Sequence, residues 1–280
     1  MGCFFLNLYK EADMNQNVIR MFSRKKLKHN SSKNSHLWTM LEDLSKCEKP
    51  FFTKNTSRKI AKNISIHFAD DSERARKVVK RSNHRMTGKQ PSVMNERMIH
   101  WESDYERKAF QLLEASPFVA AYREQPATFK YHNGDGVMHT HFPDIFVTLV
   151  NGMRLFIEVK PSRAKNDQDL TDRENLLKEL LSVKGFKYIQ IYPDQLESFH
   201  YQANAQFMIW HKKKPAPYPV KMKIKKLLLT ESSTSLASLI SLVKHTSARS
   251  WIFALIMEGV ITCDLSMPLV DNTIIFMKNK

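Results

Sequence analysis

The sequence is short of three things. It has only three cysteines in 280 residues. Cys3, Cys47 and Cys263 lie far apart with no C-x-x-C spacing, which supports neither a zinc knuckle nor a disulfide framework and leaves reduced cytoplasm as the default compartment. It also lacks any apolar stretch approaching the roughly 20 residues of a transmembrane helix. The run Cys3-Phe4-Phe5-Leu6 is too short for a signal peptide, Leu6 stands where a myristoylation signal wants Ser or Thr, and Met14 offers an alternative start. A soluble protein without a membrane partner is expected. The third shortage is acid: 28 Asp+Glu stand against 44 Lys+Arg, a formal net charge of +16. So basic a balance points to a polyanionic partner, because Lys and Arg that neutralise phosphates release counterions from nucleic acid.

A hydrophobic content of 42% is ample for a core. Residues 1–86 are polar and basic, with RKKLKH at 24–29 and seven Lys or Arg against one Glu between Glu73 and Lys89. The first 35 residues are expected to be disordered, and 36–80 to hold short helices. From Trp101 to Trp210 the pattern is α/β. In SDYERKAFQLLEA (103–115), Tyr105, Ala109, Leu112 and Leu113 share one helix face, with Ser103 as cap. Extended segments follow near 118–131 and 138–150, then a strand at 153–160, a helix at 168–183, a strand at 186–192 and a helix at 194–210. Strands between two helical layers predict a central mixed sheet flanked by helices. HKKKPAPYPVKMKIKK (211–226), with three prolines and seven lysines, reads as a linker. Beyond it, two short helices (236–245 and 248–259, with Gly259 as terminator) and strands at 260–264 and 273–277 suggest a winged helix-turn-helix over 227–280. A helical protein-interaction module is the alternative, since the second helix offers only Arg249 to a phosphate.

The chemistry concentrates in THFPDIFVTLVNGMRLFIEVKP (140–161), two apolar runs joined by Asn151-Gly152. Glu158 and Lys160 are two apart on a strand and leave the same face, roughly 7 Å from each other. Whether Asp144 joins them depends on the turn. A two-residue loop pairs Val150 with Met153 and sends Asp144 to the wrong face. A three-residue loop with Gly152 left-handed pairs Leu149 with Met153 and Asp144 with Glu158. In that register two carboxylates lie about 5 Å apart at Cβ, a pair that a divalent cation stabilises, and Lys160 is placed to oppose charge growing on a phosphate. The bland reading is an exposed strand end with a surface salt bridge. Glu106, upstream on a helix, is the candidate third carboxylate, and it doubles as the acid of a Ser103-x-x-Glu106 capping box.

In this order, Glu106, Pro143-Asp144 and Glu158-Val159-Lys160 resemble the PD-(D/E)xK nuclease superfamily. TGKQPSVMNERMIHWESDYERKAFQLLEASPFVAAYREQPATF (87–129), HFPD (141–144) and FIEVKPSR (156–163) are more closely similar to TnsA-type transposon endonucleases, which also carry a C-terminal winged-helix domain. The resemblance implies a restriction-endonuclease-like nuclease domain over 87–210 and a Mg²⁺-dependent DNA endonuclease, Mn²⁺ able to substitute. It implies cleavage of one strand, on the 5′ side, at each transposon end, while a separate transposase cuts and joins the other. Its partners would be double-stranded transposon-end DNA, that transposase and an AAA+ ATPase regulator, in the bacterial cytoplasm. Glu106, Asp144, Glu158 and Lys160 take the catalytic positions. Glu106, Asp144 and Glu158, together with Val159, take the metal positions. Some members have Gln where this chain has Glu158. Gln125 of the EQP element and His141 are candidate supporting residues, and Arg81, Lys89, Lys165 and Arg249 candidate DNA contacts. A stand-alone restriction or repair nuclease, or a DNA-binding scaffold with a decayed nuclease domain, are the rival readings.

Overall fold

The periodicity of residues 103–115 is realised as a helix, Asp104–Ala115 (α2), in which Ser103 accepts a hydrogen bond from the Glu106 amide and Ala109, Phe110, Leu112 and Leu113 are fully buried. It stops at Ser116, just before Pro117, which cannot continue a helix. The computed structural model describes residues 35–47, 63–70, 74–76, 86–133, 136–211 and 215–278; all but the last of the first 35 residues, expected to be disordered, and the candidate Arg81 lie outside these.

Around α2 the chain builds a four-stranded sheet in the order β4 (Val119–Glu124), β7 (Ile145–Leu149), β8 (Arg154–Val159), β9 (Lys187–Ile191). β4, β7 and β8 run antiparallel, and β9 joins parallel to β8 after the crossover helix α3 (Gln168–Val183). Residues alternate between faces, as a strand requires. Ile145, Val147, Leu155 and Ile157 pack toward α2, while Phe146 and Phe156 pack with Leu177, Leu180 and Leu181 of α3. That second face is extended by an antiparallel sheet of β1 (Ile64–Phe68), β5 (Ala127–His132) and β6 (Met138–His141), whose Phe129 meets Phe156 edge-on. β2 (Gly88–Ser92) and β3 (Arg97–Trp101) form a hairpin ahead of α2.

The basic N-terminal segment is partly built into this body. Leu37–Lys46 (α1) buries Leu37, Trp38 and Leu41, and the Trp38 indole donates to the Leu112 carbonyl at 2.6 Å. Residues 64–68, expected in a helical region, are instead strand β1. Isolated propensity there is overridden by pairing with β5.

The helix expected at 194–210 is broken in two, Pro193–Leu196 (α4) and Phe199–His211 (α5). The linker assignment also needs correction, because Tyr218–Glu231 forms a helix (α6) that buries Ile224 and Leu228. Its prolines, read as breakers, sit at the helix start, where Pro217 is the N-cap and Pro219 falls in the first turn and no intrahelical donor is lost. Then follow β10 (Ser233–Ser235), α7 (Leu236–Val243), α8 (Ala248–Met257), β11 (Ile261–Cys263) and β12 (Ile274–Met277), in a small sheet ordered β10-β12-β11. Gly259 follows α8 with φ of 66°, the left-handed terminator its position suggests. This unit is fastened to α5 by the buried Asn204, whose amide donates to the carbonyls of Leu265 and Met267 and accepts from the Leu269 N–H.

Candidate active site

The register of the β7–β8 hairpin decides whether a site exists. Ile145 pairs with Ile157 and Thr148 with Arg154, so one step outward Asp144 lies across from Glu158. At the closed end Leu149 donates to the Met153 carbonyl and Gly152 to the Leu149 carbonyl, with Gly152 at φ 83°. The three-residue loop is therefore the one formed. The Asn151 amide also donates to the carbonyls of Leu44 and Cys47, at the end of α1, and its oxygen accepts from the Met153 N–H. Asp144 and Glu158 share the face of Phe146 and Phe156, at the open mouth of that layer.

A cavity of about 720 Å³ opens there, lined by Glu102, Ser103 and Glu106 from the start of α2, His141 and Asp144 between β6 and β7, and Glu158, Val159 and Lys160 from the end of β8. The four residues assigned catalytic positions thus line one cavity. The Asp144 carboxylate accepts the Val159 N–H at 2.7 Å, while its carbonyl accepts the Gln125 N–H. Burial, then the charges of Glu158 and Glu106, pushes its carboxyl well above the ordinary range. Glu158 is 3% exposed and accepts from His141 Nε2 at 3.0 Å and from Lys160 Nζ at 2.5 Å. Burial would raise its carboxyl too, but the hydrogen bond and charge of His141, together with Lys160, outweigh it and hold Glu158 below its usual value. Glu106 accepts from the Glu102 N–H at 2.8 Å and the Ser103 hydroxyl at 3.1 Å, so the capping role and the place in the cavity belong to the same side chain. Burial, reinforced by the charges of Glu102 and Glu158, lifts it to about 7 against those hydrogen bonds.

The supporting residues separate. His141 touches Glu158 directly. Gln125 takes a left-handed conformation, φ 41°, between β4 and β5, and its amide donates to the Glu102 carboxylate; it braces the wall instead of lining the cavity. Glu102 also holds Arg76 at 2.7 Å, which makes it a hub that spacing alone does not reveal. Val159 turns its N–H to Asp144, and in a strand the carbonyl of the same residue shares that edge. Lys89 is exposed on β2. Lys165 is paired with Asp194 at 2.7 Å and lies over the Tyr192 ring, and Arg249 is paired with Asp271 at 2.7 Å. None of these three lines the cavity. Arg76, Arg163 and Arg173 do: Arg76 from the basic run of 73–89, Arg163 from the end of FIEVKPSR and Arg173 from α3, none of them among the expected DNA contacts.

For a cation the donor set fits in kind. Three carboxylates are hard oxygen ligands, and the upward push on Asp144 and Glu106, from burial first and then from the neighbouring acid charges, is one that a divalent ion would counter. Among the described residues no three His, Cys, Asp or Glu side chains are grouped to hold an ion as they stand; both Glu158 oxygens are already taken, by His141 and Lys160.

Comparison with known proteins gives one finding. Residues 116–192 match the family model described as TnsA-like endonuclease N terminal, a span that runs from the end of α2 through β9 and includes Asp144, Glu158 and Lys160 but not Glu106. Among curated proteins no match is found. Over residues 116–192, then, the chain carries a TnsA-type endonuclease domain, the family its motifs resemble.

Proposed function

We propose that this protein is a metal-dependent DNA endonuclease that cuts one strand, on the 5′ side, at transposon ends, working with a separate transposase and an AAA+ ATPase regulator. The observation that carries the reading is the convergence of Glu106, Asp144, Glu158 and Lys160 on one cavity of a very basic protein. A Mg²⁺ or Mn²⁺ ion held by Asp144, Glu158, Glu106 and the Val159 carbonyl would acidify water and draw charge from a phosphodiester. For it to bind, Glu158 has to release one of its present partners.

The protein's own groups do the rest. Lys160, freed from Glu158, opposes the negative charge that grows on the non-bridging phosphate oxygens as water attacks in line. Glu106, whose carboxyl burial and the neighbouring acids lift to about 7 in the ion-free cavity, would be drawn to its charged form by the ion it helps to hold. His141 keeps one Glu158 oxygen fixed while the other is exchanged. The products are a 5′-phosphate and a 3′-hydroxyl. The helix-strand-helix-helix-strand-strand order of residues 218–277 supports a winged helix for the C-terminal unit. DNA and the regulator are its proposed partners, and the cytoplasm is the proposed compartment.

Incubation of the protein with its transposase, Mg²⁺ and end-labelled transposon-end duplex, with strand-resolved products, tests the assignment. Cleavage of one strand is expected. Wild-type rates in Asp144→Ala or Lys160→Ala sink it.

A further inference from the structure

The helix α3 presents an apolar stripe to the sheet: Leu177, Leu180 and Leu181 are buried against Phe156 and Tyr188. Stepped back by four and seven residues, that stripe continues to Arg173, so a permanently charged guanidinium stands where the pattern calls for another Leu. Arg173 is half-buried and lines the cavity beside Glu158 and Lys160. Its Nε is buried with no hydrogen-bond partner, and among the described residues no carboxylate lies within ion-pair distance of it. Its two basic neighbours on the wall differ from it: Arg76 is neutralised by Glu102, and Arg163 is exposed. A half-buried guanidinium with its Nε shut away from water and unpartnered is costly unless an anion arrives. On the strand residue paired with Glu158, Gln190 also has a buried amide nitrogen without a partner. The neutral phenols of Tyr131 and Tyr188 feel the Arg173 charge but cannot balance it.

We infer that Arg173 is a phosphate ligand: it receives the non-bridging oxygens of one phosphodiester of the bound strand and so positions that strand over Asp144, Glu158 and Lys160. The inference rests on the nuclease reading for the identity of the strand, but not for its test. A guanidinium offers two parallel N–H donors to a phosphate, which a lysine cannot reproduce. Arg173 is on this account a positioning residue, since it grips the substrate away from the reacting bond.

The test measures binding of a duplex oligonucleotide to the full chain with Ca²⁺ in place of Mg²⁺, over a range of salt concentrations, for wild type, Arg173→Gln and Arg173→Lys, with the thermal midpoint of each variant recorded. Arg173→Gln is expected to bind roughly tenfold more weakly, with a slope of log affinity on log salt shallower by about one, the signature of one lost phosphate contact. Arg173→Lys is expected to keep the wild-type slope and to fall between the two in affinity. A purely structural role moves the midpoint and leaves the slope alone. Wild-type affinity and slope in Arg173→Gln overturn the inference, as does a loss of affinity no larger than the loss of folded protein, or a wild-type chain that binds no duplex at all. Should Arg173→Gln not fold, a slope in Arg173→Lys that is shallower than wild type at an unchanged midpoint overturns it. Nicking with the transposase is scored separately: wild type that binds with the expected slope but never nicks defeats the nuclease reading and leaves Arg173 standing as a phosphate contact.

Discussion

Two groups of buried carboxylates sit within one sheet's width of each other and are treated in opposite ways. Behind the β2–β3 hairpin, Glu114 accepts from the hydroxyls of Ser92 and Tyr122 and from the N–H groups of Val93 and Met94, all within 2.9 Å. Glu124, 1% exposed, is gripped by both terminal nitrogens of Arg97. These acids are saturated with donors, and they tie the hairpin to α2 and β4. At the cavity the acids face each other instead. Asp144 has one donor on its carboxylate, Glu106 has two, and burial, with the charges of neighbouring acids added to it, lifts both. Burial is common to the two groups, so burial does not mark a site. Unrelieved like charge does.

The sharpest way to break that contrast is to remove one acid from each group. In Asp144→Asn the strand-nicking rate with transposase and Mg²⁺ is expected to fall by roughly a thousandfold or more, since an essential charge is lost. The thermal midpoint should hold or rise, because one of three repelling carboxylates is gone. Glu124→Gln should do the reverse. It strands the Arg97 guanidinium and destabilises the fold by about 2 kcal/mol, below the usual figure for a broken buried pair because Arg97 is 29% exposed. Chemical denaturation of the two variants side by side reads this directly. If both lose stability alike, the distinction drawn between the groups is wrong.

Acidity provides a gentler probe of the same difference. Glu106 rests near 7 in the folded chain against 4.5 for the free side chain. Between those values the folded state holds a proton that the unfolded chain has released, so this group's contribution to stability grows as pH falls from above 7 toward 4.5 and is lost as pH rises through 7. The unfolding free energy of wild type minus that of Glu106→Gln should therefore rise as pH falls over that window. A flat Glu106 difference from pH 8 to pH 5 would mean that its carboxyl is not held up by burial and the acids around it.

Much of this arrangement could be read from the residues, for physical reasons that differ between elements. The stripe of Ala109, Leu112 and Leu113 specified α2, and the Asn-Gly turn with apolar strands specified the hairpin. A metal-sharing pair of acids required the three-residue loop, which is the one present. The spacing of Glu158 and Lys160 placed both on one face. What could not be read depends on partners far along the chain. Arg249 looked free for DNA and is paired with Asp271; Lys165 is likewise paired with Asp194. No local pattern announces that Glu102 gathers Arg76, Gln125 and Glu106. Proline misled at α6, where Pro217 and Pro219 begin a helix instead of preventing one, and β1 was hidden because its strand character comes from pairing with β5.

The closed end of the hairpin yields the smallest expected effect and tests whether register alone delivers Asp144 to the site. Gly152 sits at φ 83°, and a Cβ added there meets nothing within 4 Å, so Gly152→Ala is penalised by the backbone alone, on the order of 1 kcal/mol. Asn, which tolerates the left-handed region better, should lose less. Neither change should slide the strands. Asn151 stays pinned to the carbonyls of Leu44 and Cys47, and Leu149 to the Met153 carbonyl. A slip by one residue would carry Asp144 to the other face together with every alternating side chain of β7. The expected result is a midpoint lowered by a few degrees with nicking within about twofold of wild type. Nicking abolished at a nearly unchanged midpoint would show that the loop, and not the apolar strands, sets the register that brings Asp144 opposite Glu158.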